Sequence, residues 1–288
     1  MTAYDQNYGI TAFIDLLGFG LRVKDINSQA SFDEVAAKVQ MVHEAFDLDP
    51  KTECEKEIKA DMRQTSISLS DSIVINTPIE SPSVDRMGSF DALMDVLDDF
   101  ALAQAMCVFQ GVFLRGAIAD GWLYCEQGIL ISDGLVKAHA IESSISIPVI
   151  AVSDEIYEAF ATHKDNQNYS VSPGHQLFRK FEVAESSFYF LDYLACRLSA
   201  MTHHGTEFSF ESCQKFSDEE KDKYLNDLRV KNQINVLMEH KALIEKAYYQ
   251  ANTEAVKQKY RWLASYHNQV VNDFGFDNDY ALILKGKP

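Results

Sequence analysis

Basic residues are scarce in this sequence, where 26 lysines and arginines stand against 43 aspartates and glutamates. The formal net charge is −17 over 288 residues. A surface with this charge repels nucleic acids and anionic membranes, so we expect neither as a partner. A nucleotide can bind only where metal ions or a local basic cluster offset the surrounding negative field.

Long apolar runs and cysteine motifs are also missing. No uninterrupted apolar stretch reaches the about 18 residues that a membrane-spanning helix needs. Residues 1–8 are polar and lack the basic and apolar regions of a signal peptide. The cysteines form no CxxC pair and no zinc-site spacing; they are Cys54, Cys107, Cys125, Cys196 and Cys213. We therefore expect a cytoplasmic protein with reduced cysteines.

The pattern of the first half predicts an α+β fold. Residues 8–17 are rich in β-branched and aromatic side chains and predict a strand. Residues 64–77 alternate with a period of two around Ser70-Asp71, which predicts a hairpin. A helix is expected over 32–46 after a capping box at Ser31. Ser89 is expected to cap a second long helix, and a turn is expected at Asp120-Gly121 after the strand that follows. The order predicts a ferredoxin-like βαββαβ core, with a mostly antiparallel sheet and helices on one face.

The second half of the chain follows a different pattern. Length and composition indicate one main domain with a large appendage. We predict a core over 1–153 and an extension over 154–288 that completes the sheet and adds a helical hairpin. Ser217 and Glu220 form a capping box that opens the first helix of this hairpin, and Asn252 is expected to cap the second.

Two aspartates stand out by their positions in these patterns. Asp15 interrupts the first apolar strand, and Asp71 lies at the tip of the predicted hairpin. In a βαββ topology these strands are neighbours, so the two carboxylates can converge. Asp71 alone is explained at least as well by ordinary turn chemistry, whereas an unpaired Asp15 inside an apolar strand is costly. A shared Mg²⁺ or Mn²⁺ would account for both.

Four segments resemble motifs of the class III adenylate and guanylate cyclases. FIDLLGF (13–19) is similar to the segment that carries the first metal-binding aspartate, and SDSIVI (70–75) to the hairpin that carries the second. LRGAIADG (114–121) and DGLVKAHAIE (133–142) resemble the strand and the helix that follow. The segments occur in the order found in that family and cover about residues 8–150.

The resemblance implies a divalent metal site and a substrate. Asp15, Ile14 and Asp71 are then the metal-binding residues, with two Mn²⁺ or Mg²⁺ ions per site. Leu16, Leu17, Gly18, Phe19 and Ser70 are expected beside the substrate, and Ser70 stands where the family has glycine. Arg115 is the first candidate to stabilise phosphate charge, although an ordinary strand arginine explains it equally well. Lys137 is a weaker candidate.

The chain also departs from the purine cyclases of that family. Ile67 and Ile131 stand where the residues that read a purine base are found. Val136 and Ala140 replace the asparagine and arginine that stabilise the transition state. Either the protein is inactive or its pocket has been rebuilt.

The four segments, followed by a C-terminal helical pair that contains KYRWLASYHN (259–268), resemble the Pycsar pyrimidine cyclases of bacterial anti-phage defence. That resemblance implies cyclisation of UTP, or of CTP, to the 3′,5′-cyclic monophosphate, whose release activates an effector protein. It also implies a homodimer with sites at the subunit interface. The alternatives are a catalytically silent nucleotide-binding sensor and a purine cyclase that uses ATP or GTP.

Overall fold

The computed structural model describes residues 8–46, 50–126, 129–164, 177–183, 186–201 and 215–284. The chain divides into two compact units, Met1–Tyr193 and Leu194–Pro288. The division after residue 153 stays a prediction. Across the described ranges, no helix is both long and apolar enough to cross a membrane.

The first unit is built on a mostly antiparallel sheet. Its strands are β1 (Tyr8–Leu16), β2 (Thr65–Leu69), β3 (Ser72–Pro78), β4 (Leu114–Glu126), β5 (Ile129–Ser132), β6 (Ile150–Val152), β7 (Phe178–Val183) and β8 (Ser186–Leu191). They lie in the order β2-β3-β1-β4-β6-β8-β7, with β5 paired to β4. Among the pairs formed by the described strands, β4–β6 is the parallel one. The order β2-β3-β1-β4 is that of a ferredoxin-like βαββαβ core, so the predicted α+β fold is confirmed.

Helices connect these strands or follow the last of them. They are α1 (Phe19–Lys24), α2 (Gln29–Ala45), α3 (Glu53–Met62), α4 (Pro82–Met87), α5 (Ser89–Phe109), α6 (Asp133–Ser144), α7 (Asp154–Thr162) and α8 (Tyr193–Ser199). The two long crossover helices of the core, α2 and α5, pack against each other. α5 buries Leu97, Ala101 and Val108 in the hydrophobic core.

The two faces of β1 carry different side chains because side chains alternate along a strand. Ile10 faces α5 and lines a small cavity with Val96 of that helix. Thr11 lies on the other face and packs against Gly134 of α6. Phe13 lies on this second face too, where its ring meets the His139 ring of α6 at a centroid distance of 5.2 Å. Asp15 therefore belongs to the face covered by α6.

Two helix starts differ from the sequence-based expectation. Ser28, not Ser31, caps α2, and Ser31 supplies the reciprocal half of that capping box. Gly88 precedes α5, whose first residue is Ser89. In both cases the polar residue lies inside the first turn, because a serine can serve either as the cap or as a first-turn partner.

The expected turn at Asp120-Gly121 is also wrong, since β4 runs unbroken through it. Gly121 serves close packing instead. A Cβ atom there would lie 2.4 Å from the backbone nitrogen of Gly134. The two glycines allow α6 to approach the strand.

The second unit contains the predicted helical hairpin, formed by α9 (Asp218–Gln250) and α10 (Glu254–Asp273). The Ser217–Glu220 capping box is present. The second helix begins one residue later than expected, because Thr253 and not Asn252 caps it.

Candidate active site

Asp15 lies near the end of β1 between two neighbouring strands. Its partner on β3 is Ser72 and its partner on β4 is Arg115. The Ser72 hydroxyl donates a hydrogen bond to Asp15 Oδ1 at 3.0 Å, and Arg115 Nη2 lies 3.9 Å from Asp15 Oδ2. The sheet register thus holds one carboxylate between a hydroxyl and a guanidinium.

The β2–β3 turn brings Asp71 to the same place. The backbone N–H of Leu16 donates to the Asp71 carbonyl oxygen at 3.3 Å, which ties the turn to the end of β1. Ser70 adopts a φ of 62°, a left-handed conformation that favours glycine. The Asp15 and Asp71 carboxyl groups lie close enough to interact electrostatically. The predicted hairpin turn is confirmed, and the structure brings the two aspartates together.

The electrostatics of Asp15 follow from this geometry. Burial, followed by the negative charge of Asp71, raises the pKa of the Asp15 carboxyl from 3.8 to about 6. The hydrogen bond from Ser72 and the charge of Arg115 lower that pKa but do not cancel the increase. Two carboxylates held together in a partly buried place repel each other unless a proton or a cation lies between them.

Arg115 has further partners in the protein besides Asp15. Its Nε forms an ion pair with Glu142 of α6, and its Nη1 donates to the Ile145 carbonyl oxygen at 3.5 Å. Glu142 is only 3% exposed. The guanidinium is therefore engaged by protein groups on several sides. In this arrangement Arg115 orients Asp15 and neutralises part of its charge.

The carboxylate pair has the chemistry of a site for a hard divalent cation, because Mg²⁺ and Mn²⁺ prefer carboxylate, carbonyl and water oxygens. Among the described residues, no group of three or more His, Cys, Asp and Glu side chains is arranged to hold a metal. A cation at Asp15 and Asp71 would therefore take its other ligands from water and from an oxygen-rich substrate such as a phosphate. Ile14 is completely buried, and its side chain lies on the opposite face of β1 from Asp15, so only its backbone remains as a ligand.

The segment after β1 turns directly beside this pair. Gly18 has a φ of 79° and precedes α1, which begins at Phe19. A Cβ atom at Gly18 would meet nothing within 4 Å, so the backbone there is open to a ligand. Leu16 is buried, and Leu17 donates its N–H to the Phe113 carbonyl oxygen at 2.9 Å.

Two of the predicted site residues lie far along β4 from Asp15. Ile131 pairs with Tyr124, nine positions from Arg115 and so about 30 Å along the strand. Lys137 donates to the Asp120 carbonyl oxygen at 3.1 Å, and Asp120 is five positions, about 17 Å, from Arg115. Neither residue joins the Asp15 cluster within one chain.

Ile67 occupies an intermediate position. It pairs with Val74 on β3, and Val74 pairs with Phe13 on β1. It therefore shares the face of Asp15 but lies two strands away, about 10 Å across the sheet.

Sequence reasoning missed two residues of the cluster. Glu142 follows Gly134 and Ala138 at intervals of four, and all three are buried on one face of α6, so helical periodicity contained the signal. Ser72 was part of the hairpin pattern, but its contact with Asp15 depends on the pairing register of β1 and β3.

No protein-family model matches the chain, and no curated protein matches it. Among solved structures, it is similar to a bacterial light-regulated adenylyl cyclase, with 11% identity over 65% of this chain and 91% of that chain and a TM-score of 0.39. It is also similar to a dimeric guanylyl cyclase domain of the RhoGC fusion protein from the aquatic fungus Blastocladiella emersonii, with 12% identity over 64% of this chain and 96% of that one and a TM-score of 0.38.

A class III adenylyl cyclase-like ATP-binding protein from Pseudomonas aeruginosa is a further similar structure. It shows 12% identity over 67% of this chain and 40% of that chain, with a TM-score of 0.39. At these values the similarity does not transfer an activity, so the functional argument rests on the geometry of the carboxylate pair.

Proposed function

We propose that this chain is a metal-dependent nucleotidyl cyclase that acts on a pyrimidine nucleoside triphosphate, with UTP favoured and CTP possible. The observation that carries the proposal is the convergence of Asp15 and Asp71 in a partly buried place, where burial and then the charge of Asp71 raise the pKa of Asp15 to about 6. Such a pair is stabilised by a divalent cation, and the open backbone at Gly18 adjoins it. The resemblance of the surrounding segments to class III cyclases supports the same reaction.

The residues of the site have separate roles in this proposal. Asp15 and Asp71 would hold two Mn²⁺ or Mg²⁺ ions, while Ser72 and Arg115 orient Asp15. When bound, these ions would lower the pKa of the ribose 3′-hydroxyl and neutralise the triphosphate and the leaving pyrophosphate. Leu16 to Phe19 and Ser70 would border the phosphates and the sugar.

A two-fold homodimer completes the proposal. Ile131 and Val136 are 53% and 69% exposed, and such apolar exposure favours contact with a second copy. Because Ile131 and Lys137 lie far from Asp15 in one chain, they would reach a site only from the partner copy. Light scattering at micromolar concentration tests this, since a fully active monomer would contradict it.

The biological role is proposed from the resemblance alone. The cyclic nucleotide would act as a second messenger in anti-phage defence and would activate a separate effector protein. Infected cells that carry the active chain would then accumulate the cyclic pyrimidine nucleotide, which can be measured in their extracts. Infected cells that carry an Asp15→Asn chain would not accumulate it.

A catalytically silent nucleotide sensor is the second candidate. It is favoured by the engagement of Arg115 with Glu142 and Ile145, which leaves no cationic side chain of the described cluster aimed at the phosphates. The altered positions Val136 and Ala140 point the same way.

Incubation with each of the four labelled nucleoside triphosphates and Mn²⁺ separates the candidates. A pyrimidine cyclase should prefer UTP or CTP over ATP and GTP by about two orders of magnitude in kcat/KM, because purine ring polar groups would be left unpaired. Binding without any cyclic product would support the sensor. Comparable turnover of ATP would contradict the pyrimidine assignment.

A further inference from the structure

The face of β1 that carries Asp15 is only partly covered by α6. This helix packs on β4 and β1, and Thr11 beneath it is completely buried against Gly134. Phe13 and Asp15 lie further along the same face, and both are half-buried. Ser72, the partner of Asp15 on β3, is half-buried as well. An accessible strip of this face therefore extends from Phe13 to the carboxylate pair.

His139 of α6 lies at the edge of this strip. Its ring meets the Phe13 ring edge to face, with the two centroids 5.2 Å apart. One turn later on the same helix, Glu142 pairs with Arg115, which lies beside Asp15. Phe13 and Asp15 are two residues, or about 7 Å, apart along the strand. These contacts place His139 on the same side of the sheet as Asp15 and close to it.

The His139 ring has hydrogen-bonding groups to offer a ligand. The residue is exposed, and within the described parts of the chain neither of its ring nitrogens forms a hydrogen bond. A neutral imidazole provides one donor and one acceptor. A pyrimidine base presents groups of both kinds at its edge, so the two match in chemistry.

We propose that His139 forms a hydrogen bond with the base of the nucleotide whose phosphates lie at Asp15 and Asp71. This inference rests on the proposed function. Cyclisation requires the ribose 3′-hydroxyl to reach the α-phosphorus, so the ribose is held at the carboxylate pair and the base extends away from it. The strip over Phe13 is the accessible part of this face next to the pair, and His139 borders it.

A packing role and a recognition role of His139 require different parts of its side chain. Packing against Phe13 requires only the ring, whereas recognition of a base requires the ring nitrogens. His139→Phe keeps an aromatic ring against Phe13 and removes both hydrogen-bonding groups, and His139→Gln keeps a donor and an acceptor without the ring. Ser144→Ala is the matched control, since Ser144 is an exposed residue of α6 whose hydroxyl donates to the Ile141 carbonyl oxygen of the same helix at 2.7 Å.

Calorimetry with Mn²⁺ present would measure the binding of UTP and of inorganic tripolyphosphate to the wild-type chain and to the three variants. We expect His139→Phe to weaken UTP binding by about tenfold, the effect of one lost hydrogen bond, and to leave tripolyphosphate binding unchanged. His139→Gln should recover part of the UTP affinity. Ser144→Ala should alter the binding of neither probe.

Unchanged UTP affinity in His139→Phe would overturn the assignment of His139 and leave the metal–phosphate site standing. An equal loss of UTP and tripolyphosphate affinity would overturn it in favour of a structural role at the metal site. If the wild-type chain binds neither probe, the proposed function fails, and this inference fails with it.

Discussion

Two pairs of like titratable groups face each other in this protein, and they are stabilised in opposite ways. Asp15 and Asp71 meet at a strand end and a turn in the first unit. His240 and His267 meet between α9 and α10 in the second unit, with their Nδ1 atoms 3.0 Å apart. Both histidines are completely buried. The comparison separates a pair that repels while both members are ionised from one that is satisfied while both members are neutral.

The imidazole pair is satisfied without any charge. His267 Nε2 lies 2.9 Å from the Tyr280 carbonyl oxygen, which can only accept, so Nε2 carries the proton. In the neutral ring Nδ1 of His267 is then an acceptor, and His240 Nδ1 donates to it. Burial lowers the pKa of both rings. Two carboxylates have no such arrangement while both remain ionised.

The largest effect is expected from the carboxylate pair. Asp15→Asn or Asp71→Asn should lower Mn²⁺-dependent turnover of UTP by about a thousandfold or more, because each removes a charged ligand of the proposed ions. Initial rates of cyclic product formation measure this, with the exposed Asp25→Asn as control. Retained activity in either variant would refute the metal assignment.

The same substitution should stabilise the metal-free chain. The folded-state pKa of Asp15 is raised from 3.8 to about 6, so ionised Asp15 destabilises the fold above that pH and not below 3.8. Asp15→Asn should therefore raise the Tm in EDTA at pH 7.5, and the gain should shrink towards pH 4. A gain that grows on acidification would contradict the repulsion.

The histidine pair should show the opposite dependence on pH. The pKa of His240 lies well below 6.5 in the folded chain. Below about pH 6.5 the unfolded chain therefore binds protons that the folded chain does not, and the free energy of unfolding decreases as the pH is lowered. His267→Ala should cost about 2–4 kcal/mol at pH 7.5, since it leaves a cavity and an unpaired Tyr280 carbonyl.

Denaturant unfolding measures this cost, and Met238→Ala, at a 45% exposed position of α9, is the matched control. The activity of the folded fraction should not change. A His267→Ala chain as stable as the Met238→Ala chain would show that the pair is not structural.

Arg115 sharpens the comparison because it gives the carboxylate pair a partial internal counter-charge. Arg115→Ala should lower kcat/KM by about 10- to 100-fold and raise the Mn²⁺ concentration that half-maximal turnover requires. Arg115→Lys should recover only part of this kcat/KM, since lysine lacks the planar guanidinium fork. Glu142→Gln should resemble Arg115→Lys. Arg86→Ala, which breaks the exposed Arg86–Asp61 pair, should alter neither quantity. A Mn²⁺ requirement unchanged by Arg115→Ala would rule out the positioning role.

The sequence was sufficient for the parts of the fold that depend on local pattern. Alternation around Ser70-Asp71 predicted the hairpin, and the Ser217–Glu220 box predicted the start of α9. The path through Asp120-Gly121 was not predictable in this way, because Gly121 is needed for the approach of Gly134, a contact between separate elements.

The site divides along the same line. Asp15 was detectable because a carboxylate in an apolar strand violates the local pattern. The ion pair between Arg115 and Glu142 depends on how α6 packs on the sheet, and the local sequence pattern does not determine that packing. The sequence therefore identified Asp15, which breaks the pattern of its own strand, and missed Glu142 and Ser72, whose contacts depend on other elements of the fold.

The smallest effect is expected at the β2–β3 turn. The carboxylate pair depends on an unfavourable backbone conformation in this turn, whereas the histidine pair lies on two helices. Ser70 and Arg63 are the described non-glycine residues with positive φ, at 62° and 52°. Glycine at either position should raise stability by about 0.5 kcal/mol, the left-handed penalty less the entropy cost of glycine. Thermal unfolding would detect this as about 1–2 °C in Tm. Neither substitution should lower Mn²⁺-dependent turnover, because glycine at position 70 retains the left-handed conformation that aims Asp71 and Arg63 ends α3. Ser66→Gly, within β2, should destabilise the chain. If Ser70→Gly behaves like Ser66→Gly, the turn carries no backbone strain, and the contrast with the histidine pair is one of charge alone.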